Sequence, residues 1–503
     1  MSSAAVSIQD WKGRAAALDI RHQAFIGGRY VDAAAGKTFD DVSPVDGRVL
    51  AKVAACDAED INRAVAAARR AFESGSWSQM APANRKGVLQ RFAERIRDHA
   101  DELALLETLD MGKPIRDASS IDIPAVVDCI AWYAEAIDKV YDEVAPTSQS
   151  ALALIIREPL GVVGAVVPWN FPLLMAAWKI GPALASGNSM VLKPAEQSPL
   201  TAIRLAELAV EAGIPEGVLN VVPGFGETAG RALGLHMDVD GIAFTGSAEV
   251  GKYFLEYSGQ SNMKQVNLEC GGKTPNIIMA DAPDLEAASK AAAFGIFFNQ
   301  GEVCNAGSRL LVQKSVKDEV LEKVMKFGQR MQPGDPLDPG TVMGAMVDET
   351  QTQRVLGFIE EGRDSGAVLK MGGKRVREDS GGWYIEPTVF DKVSNDMKIA
   401  REEIFGPVLS VLTFDHIDEA VRIGNDSIYG LAAAIWTRDI NVAHSTARAL
   451  RAGSVWINCF DGGDMTTPFG GYKQSGFGRD KSLHAIDKYT QLKTTWIQLG
   501  LPQ

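Results

Sequence analysis

The fold is decided by the stretch Gly161–Lys193, which reads GVVGAVVPWNFPLLMAAWKIGPALASGNSMVLK. It begins with an apolar run of strand length and passes through a loop with two prolines into an apolar segment of helical length. It ends in a second run of strand length. Strands that alternate with helices are typical of a parallel sheet covered by helices on both faces. The stretch therefore predicts a β–α–β unit of an α/β protein.

The alternation continues along the chain. We expect strands at Val162–Val167, Ser189–Leu192, Val218–Val222 and Gly241–Phe244, followed by helices over 173–186, 198–213, 226–235 and 248–258. A second alternating region covers about 275–460, and Tyr489–Leu499 alternates as a strand does. We expect breaks near 271 and 475, and pairing of the segment 138–156 with the C-terminal strand as a flap. The order of the strands does not follow from these patterns.

The composition excludes several classes of function. The chain has 503 residues, a net charge of -13 and no block of lysine or arginine, which argues against nucleic acid as the main partner. No apolar run approaches the roughly 18 residues that span a bilayer, and the N-terminus has no secretory pattern. The five cysteines lack CxxC spacing, which argues against a disulfide framework or a metal site and favours a reducing, cytoplasmic location.

Three residues could carry covalent chemistry. Cys304 lies in a glycine-flanked segment after a helical run, where backbone N–H groups could favour a thiolate. Glu269 closes an apolar strand before two glycines, at the strand end that faces the ligand crevice of an α/β sheet, where a carboxylate can act as a general base. Asn170 lies in a rigid loop between prolines and could donate to an oxyanion. A buried cysteine, a solvated charge and a turn asparagine remain the alternatives.

A nucleotide site is indicated more weakly. Phe244–Gly251 follows an apolar strand and opens a helix, and a helix N-terminus binds phosphate well. The fingerprint G-x-G-x-x-G is not satisfied, because Gly224–Gly230 has an extra residue before its last glycine. Lys193 and Glu196 follow a strand, where ribose hydroxyls could be bound. The six histidines are scattered, so a Ser-His-Asp triad and metal catalysis are both unsupported.

Together these segments resemble the aldehyde dehydrogenase superfamily over almost the whole chain, from Phe25 to Thr494. The matching blocks are Pro168–Pro172, Lys193–Glu196, Phe244–Gly251, Leu268–Lys273, Gly301–Cys304, Glu402–Pro407 and Pro468–Gly471. The resemblance implies an α/β protein with a Rossmann-like NAD-binding domain (1–137 and 157–270) and an α/β catalytic domain (271–475). It also implies a small β oligomerisation flap (138–156 and 476–503) that builds a homodimer or homotetramer.

The resemblance also implies roles for single residues. Cys304 would be the nucleophile that forms a thioester, and Glu269 would activate the water that hydrolyses it. Asn170 and the backbone N–H of Cys304 would hold the oxyanion, and Lys179 would assist proton movement. A carboxylate at Glu196 would repel a 2′-phosphate, which favours NAD and leaves NADP as a weaker alternative. The implied cofactor contacts are Val167, Trp169, Lys193, Glu196, Gly226, Thr245, Gly246, Ser247, Val250, Glu403 and Phe405.

The loop Asp461–Thr466 suggests the substrate. Its two carboxylates, with aromatic faces such as Trp178 or Trp132, suit an aldehyde with a cationic end, and a solvated turn is the alternative. This loop and the run Gly478–Ala485 resemble the subgroup that oxidises γ-glutamyl-γ-aminobutyraldehyde and 4-guanidinobutyraldehyde. We therefore expect oxidation of an ω-amino, guanidino or γ-glutamylamino aldehyde of polyamine and arginine breakdown. The implied substrate contacts are Phe171, Trp178, Asp461, Asp464 and Phe469.

Other readings stay open. The enzyme could be a general or betaine-type aldehyde dehydrogenase, or a relative that transfers the acyl group to coenzyme A. A non-enzymatic, crystallin-like protein on the same fold is disfavoured because Cys304, Glu269 and Asn170 are all present.

Overall fold

The computed structural model describes residues 6–500, in which the strands form two large sheets and three small ones. The strands are β1 Ala24–Ile26, β2 Arg29–Val31, β3 Thr38–Val42, β4 Val49–Ala54, β5 Glu143–Ala145, β6 Ala151–Pro159, β7 Val162–Val166, β8 Ser189–Lys193, β9 Leu219–Val221, β10 Gly241–Gly246, β11 Gln265–Cys270, β12 Pro275–Ile278, β13 Arg309–Gln313, β14 Val368–Met371, β15 Arg375–Val376, β16 Tyr384–Ile385, β17 Thr388–Asp391, β18 Val408–Phe414, β19 Ala432–Trp436, β20 Ser454–Ile457, β21 Gly476–Phe477 and β22 Thr490–Gln498. The α-helices are α1 Ile8–Ala16, α2 Ala58–Glu73, α3 Pro82–Asp98, α4 Ala100–Met111, α5 Ile115–Asp117, α6 Ile123–Ala136, α7 Pro172–Ala185, α8 Leu200–Glu211, α9 Arg231–Leu235, α10 Ala248–Gln260, α11 Leu285–Phe297, α12 Lys317–Gly328, α13 Glu349–Asp364, α14 Lys398–Arg401, α15 Ile417–Asn425 and α16 Ile440–Ala449.

The first sheet has the order β2-β1-β9-β8-β7-β10-β11-β21, and its five central strands are parallel. Alternate side chains of β7 enter two different cores: Val163 and Ala165 pack on one face, Val162 and Val166 on the other. Burial on both faces explains why these strands are continuous apolar runs. The predicted parallel sheet is confirmed, but its edges are antiparallel because β1, β2 and β21 join it from distant parts of the chain.

The second sheet has the order β14-β17-β18-β13-β12-β19-β20 and is parallel except at β14. It lies within the second alternating region that the sequence indicates. The four helices expected between residues 173 and 258 are present as α7, α8, the turn before α9 with α9 itself, and α10. In residues 6–500, no helix combines the length and the apolar character that a membrane crossing requires.

The third sheet has the order β22-β6-β5 and pairs the C-terminal strand antiparallel with β6 over nine residues. This is the pairing expected between the flap segment and the C-terminal strand, although β6 extends to Pro159. The expected flap over 476–503 is wrong for its first residues. Gly476 and Phe477 pair with β11 at the edge of the first sheet, because the chain returns past the cavity before it reaches β22. The proposed division into three domains otherwise stays a prediction.

Arg309 joins the start of β13 to the segment that follows β11. It begins β13 and is 1% exposed. Its guanidinium donates to the carbonyl oxygens of Lys273 (3.0 Å), Ile423 (3.0 Å) and Gly424 (2.9 Å), and to Asn395 Oδ1 (3.1 Å). Lys273 lies four residues after Glu269, and Arg309 lies five residues after Cys304. A planar fork of five donors can satisfy these acceptors together, whereas an ammonium cannot.

We expect Arg309→Lys to lower the free energy of unfolding by about 3 kcal/mol, because buried carbonyl oxygens lose their donors. Urea unfolding followed by fluorescence measures this loss. Arg422→Lys is the matched control, because the Arg422 side chain is 74% exposed and its ion pair with Glu419 is loose at 4.0 Å. Equal, small effects of the two substitutions would show that Arg309 does not hold the two segments together.

Candidate active site

A cavity of about 460 Å³ opens where the carboxyl ends of the first sheet meet the loop before β13. In parallel α/β sheets this edge is the usual place for ligands. The cavity brings together residues that lie more than 300 positions apart in the sequence. The residues expected from the sequence that line it are Trp169, Asn170, Phe171, Trp178, Thr245, Gly246, Ser247, Glu269, Cys304, Glu403, Phe405, Asp461 and Phe469.

The loop that carries Cys304 has an unusual backbone. Asn299, Gln300 and Gly301 all have positive φ angles, 47°, 57° and 73°. Gly301 is required here, since a Cβ on it would lie 2.2 Å from the carbonyl oxygen of Gly406. Non-glycine residues in this region are strained, and such strain collects at functional sites. The three residues turn the chain sharply after α11 and bring Cys304 to the cavity.

Asn170 is fixed against this loop. Its Nδ2 donates to the carbonyl oxygen of Glu302 at 2.7 Å, and Asn299 Nδ2 donates to the carbonyl oxygen of Asn170 at 3.1 Å. The side chain of Glu302 is fully buried and accepts from the backbone N–H of Val347 at 3.1 Å. Since one N–H of the Asn170 amide is used, its orientation is set and the second N–H remains for a ligand in the cavity.

The Cys304 thiol is half-buried, and all five cysteines of the chain are free. Burial raises the pKa of the Cys304 thiol well above its ordinary value, and the nearby carboxyl groups, first that of Glu269, raise it further. The backbone N–H of Asn305 acts in the opposite direction but is the weaker influence. The thiol is therefore protonated at neutral pH in the protein without ligand.

Glu269 is the penultimate residue of β11 and is 4% exposed, and neither of its carboxyl oxygens has a hydrogen-bond partner in residues 6–500. Burial raises the pKa of Glu269 to about 8, although the ammonium of Lys179 lowers it. Lys179 does not line the main cavity; its Nζ donates to Asp480 Oδ2 at 2.5 Å. Asp480 also accepts from Lys488, so a buried Lys-Asp-Lys cluster lies behind Glu269.

The cofactor side of the cavity is built by the start of α10. Ser247 caps this helix, and its side chain accepts from the N–H of Val250 at 3.2 Å. Thr245 Oγ1 is buried without a partner among the described residues, and Gly246 leaves the backbone open to the cavity. A helix start with free N–H groups and an unpartnered hydroxyl fits the pyrophosphate of a dinucleotide.

Glu403 and Phe405 lie opposite this helix. The Glu403 carboxylate accepts from the N–H of Gly272 at 3.1 Å and packs on Gly271, where a Cβ would lie 2.0 Å from its oxygens. Phe405 packs edge-on against Trp169 with the ring centres 5.1 Å apart. Two residues that the sequence did not indicate support this loop from α13: Gln351 donates to the carbonyl oxygen of Phe405 (2.7 Å), and Arg354 to that of Glu403 (3.0 Å).

The remaining expected cofactor residues lie outside the cavity lining, along the same edge of the sheet. Lys193 Nζ donates to Glu196 Oε2 at 3.0 Å, so these two residues form an ion pair. The N–H of Val167 donates to the carbonyl oxygen of Lys193 at 3.2 Å, which fixes the ends of β7 and β8. Gly226 begins a short helical turn and has open space where a Cβ would point. Val250 is exposed in the first turn of α10.

The other side of the cavity is aromatic. Phe171, Trp178 and Phe469 line it, and the rings of Trp178 and Phe469 are 5.4 Å apart. Trp132 instead packs against Tyr133 and does not line the cavity. Residues in the lining that the sequence did not indicate are Ile121, Asp122, Leu174, Met175, Phe298, Val303, Asn305, Gly463 and Lys481. Four of these nine, Ile121, Leu174, Met175 and Phe298, are apolar positions on helices, which look the same in sequence as core positions.

The two carboxylates of the 461–466 loop differ. Asp461 lines the cavity, and its Oδ1 accepts from Asn305 Nδ2 at 2.7 Å. Asp464 does not line the cavity; its Oδ1 accepts from the N–H of Thr466 at 2.8 Å and from its hydroxyl at 2.5 Å. The expectation of two carboxylates inside the cavity is therefore wrong for Asp464, because local turn hydrogen bonds direct its side chain.

A thiol, an amide donor and a carboxyl group that meet beside a helix start form the arrangement needed by a nucleotide-dependent enzyme with covalent catalysis. Residues 30–495 match the model of the aldehyde dehydrogenase family. The chain belongs to this family. The family, fold and class of enzyme predicted from the sequence are thereby confirmed.

Three relatives show the range of the family near this chain. The NADP/NAD-dependent aldehyde dehydrogenase PuuC of Escherichia coli strain K12 is 55% identical over 97% of this chain and 98% of its own. A crystal structure of an indole-3-acetaldehyde dehydrogenase with NAD+ has a TM-score of 0.98 at 62% identity, covering 98% of this chain and 100% of that one. The γ-glutamyl-γ-aminobutyraldehyde dehydrogenase of Burkholderia cenocepacia J2315 has a TM-score of 0.97 at 60% identity, with the same coverage. The nicotinamide cofactor expected from the sequence agrees with these relatives.

The raised pKa of Cys304 predicts its reactivity. We expect alkylation of Cys304 by iodoacetamide, without cofactor, to be slow at neutral pH and to rise about tenfold for each pH unit, because only the thiolate reacts. Peptide mass spectrometry measures the rate at this site. Cys459→Ser removes the exposed thiol as a background, and Cys304→Ser is the blank. A fast rate that does not depend on pH above neutrality would show that the thiolate is already formed.

Proposed function

We propose that this aldehyde dehydrogenase uses NAD+ to oxidise an ω-amino, guanidino or γ-glutamylamino aldehyde to the carboxylic acid through a thioester on Cys304. The observation that supports the proposal most directly is the meeting of Cys304, Asn170 and Glu269 in one cavity beside the start of α10. Each residue supplies one requirement of the reaction.

The Cys304 thiol releases its proton to water, its sulfur attacks the aldehyde carbon, and the carbonyl oxygen takes the negative charge. The free N–H of the Asn170 amide and the backbone N–H of Cys304 hold this oxyanion. In a site largely closed to water, one such donor stabilises the transition state by on the order of 3 kcal/mol. When bound, NAD+ supplies the two-electron acceptor for the hydride that leaves the tetrahedral adduct. The adduct then becomes a thioester.

Glu269 removes the proton from the water that hydrolyses the thioester, and this water supplies the second oxygen of the acid. Its pKa of about 8 means that the ionised base becomes more abundant as the pH rises from neutral through this value. Its unpartnered oxygens are free to accept from water or from the Cys304 thiol. Lys179, held by Asp480, stabilises the ionised form and so assists proton movement.

The residues of the cofactor side hold the two halves of NAD+. Thr245, Gly246 and Ser247 bind the pyrophosphate, and Glu403 and Phe405 position the nicotinamide ribose and ring. Lys193 and Glu196 contact the adenosine ribose. Because Lys193 neutralises part of the Glu196 charge, a 2′-phosphate is disfavoured but not excluded. PuuC, described as NADP/NAD-dependent, agrees with such a preference.

Two observations support the proposed substrate class: the residues that line the aromatic side of the cavity, and the substrates named for the relatives. Phe171, Trp178 and Phe469 provide apolar faces for an alkyl chain, and Asp461 places a carboxylate at the lining. One relative, 60% identical to this chain, carries γ-glutamyl-γ-aminobutyraldehyde in its name, which matches the class inferred from the sequence. Another carries indole-3-acetaldehyde, so an aromatic aldehyde is the competing substrate class.

The location and assembly belong to the same proposal. Free cysteines throughout the chain suit the reducing cytoplasm. The strand β22 forms the outer edge of the third sheet and exposes Leu492, Trp496 and Ile497. Among the described residues, β22 pairs only with β6, so its outer side is open. An edge strand with an open side and exposed apolar residues favours pairing with another copy, as a homodimer or homotetramer.

A panel of aldehydes tests the proposed substrate. We expect the kcat/KM of γ-glutamyl-γ-aminobutyraldehyde, 4-guanidinobutyraldehyde or 3-aminopropionaldehyde to exceed those of propanal, benzaldehyde and indole-3-acetaldehyde by about tenfold or more, or about 1.4 kcal/mol of transition-state discrimination. NADH formation measures each value.

Cys304→Ser is the control for the panel, and it should abolish NADH formation with every aldehyde. If propanal, benzaldehyde or indole-3-acetaldehyde has the highest kcat/KM, the chain remains an aldehyde dehydrogenase but the proposed substrate class is wrong. If Cys304→Ser retains activity, the thioester route is wrong.

A further inference from the structure

Lys481 is a charged residue at the cavity that has no part in the reaction described above. Its side chain is half-buried and lines the cavity, with Nζ 5.7 Å from the centre of the Trp178 ring. A Cβ at Gly463 would lie 3.9 Å from this Nζ, so the ammonium lies directly beside the 461–466 loop. The cavity lining therefore includes a cation close to the loop that carries the Asp461 carboxylate.

The backbone fixes Lys481 in this position. On one side, Asp480 exchanges two backbone hydrogen bonds with Phe469, of 2.7 and 2.8 Å. On the other, the N–H of Ser482 donates to the carbonyl oxygen of Met465 at 2.9 Å. Lys481 itself has a φ of 62°, in the left-handed region, and Ser482 follows at 51°. Two strained residues between fixed neighbours direct the lysine side chain to the rim, and strain of this kind is typical of functional sites.

The Lys481 ammonium has no hydrogen-bond partner among the described residues. Its interactions with Asp461, Asp464 and Cys129 are longer-range. Burial lowers the pKa of Lys481 more than these groups raise it. The carboxylate of Asp461 is engaged by Asn305, and that of Asp464 by Thr466. A partly desolvated cation with free donors gains a charge-assisted hydrogen bond when a ligand carboxylate reaches it.

The geometry points to Lys481 as the specificity residue that binds a carboxylate at the far end of the aldehyde substrate. This inference rests on the proposed function, from which it takes the aldehyde class. A γ-glutamylamino aldehyde ends in an α-carboxylate and an α-ammonium. Lys481 meets the first, and the carboxylate of Asp461, which lines the cavity, meets the second. Simple amino and guanidino aldehydes present only a cation, which can reach Asp461 but gains no hydrogen bond from Lys481.

An isosteric pair of substrates isolates this contact: γ-glutamyl-γ-aminobutyraldehyde and the analogue whose α-carboxylate is replaced by a carboxamide. We expect the wild-type enzyme to prefer the carboxylate by about tenfold in kcat/KM, mainly through KM. Lys481→Gln should remove the preference, because it should lower kcat/KM for the carboxylate substrate and leave kcat/KM for the carboxamide unchanged. Lys481→Arg should retain most of it, because the charge is kept. Lys52→Gln, a substitution of an exposed lysine outside the cavity, is the control.

Two results would overturn the inference: a carboxylate-to-carboxamide ratio that Lys481→Gln leaves unchanged, or an equal loss for both substrates. Failure of the proposed function has a different signature, since propanal or an aromatic aldehyde would then lead in the wild-type enzyme. The ratio can still be measured in that case. The two compounds are compared as competitive inhibitors of propanal oxidation, and Lys481→Gln should weaken only the carboxylate inhibitor.

Discussion

The hydrogen bond from Asn170 Nδ2 to the carbonyl oxygen of Glu302 joins the two large sheets at the site. Asn170 lies in the loop after β7 of the first sheet, whereas Glu302 lies in the loop before β13 of the second. Cys304 follows Glu302 by two residues, so this bond sets the position of the amide relative to the thiol. The strained turn at 299–301 and the fork of Arg309 hold the same loop from its two ends.

Burial then sets the protonation of the site. The pKa of Glu269 is raised to about 8 and that of Glu403 to about 7, both first by burial. The pKa of the Cys304 thiol is raised as well, first by burial and then by the carboxyl groups near it. The two carboxyl groups therefore change protonation near neutral pH, which suits a base that must take and release a proton. The cluster of Lys179, Asp480 and Lys488 lies behind them and limits the negative charge.

Much of this could be predicted from the sequence because the signals are local. The strands after residue 160, the carboxylate at the end of β11 and the proline loop at Asn170 each lie within a few residues of their signal. The order of the strands and the support of Glu403 by Gln351 and Arg354 could not be predicted, because they depend on contacts between distant segments. Asp464 was misjudged because a turn competes for its carboxylate, and Lys481 was missed because a lone lysine has no pattern.

The central claim is that Cys304 carries the acyl group and that Glu269 releases it. The most direct measurement is peptide mass spectrometry of the Glu269→Gln enzyme after mixing with NAD+ and γ-glutamyl-γ-aminobutyraldehyde. Because the amide has the size of the carboxyl group but is no base, we expect a burst of NADH of about one per subunit and the acyl mass on the Cys304 peptide. A burst without an adduct, or an adduct on another residue, would contradict the central claim.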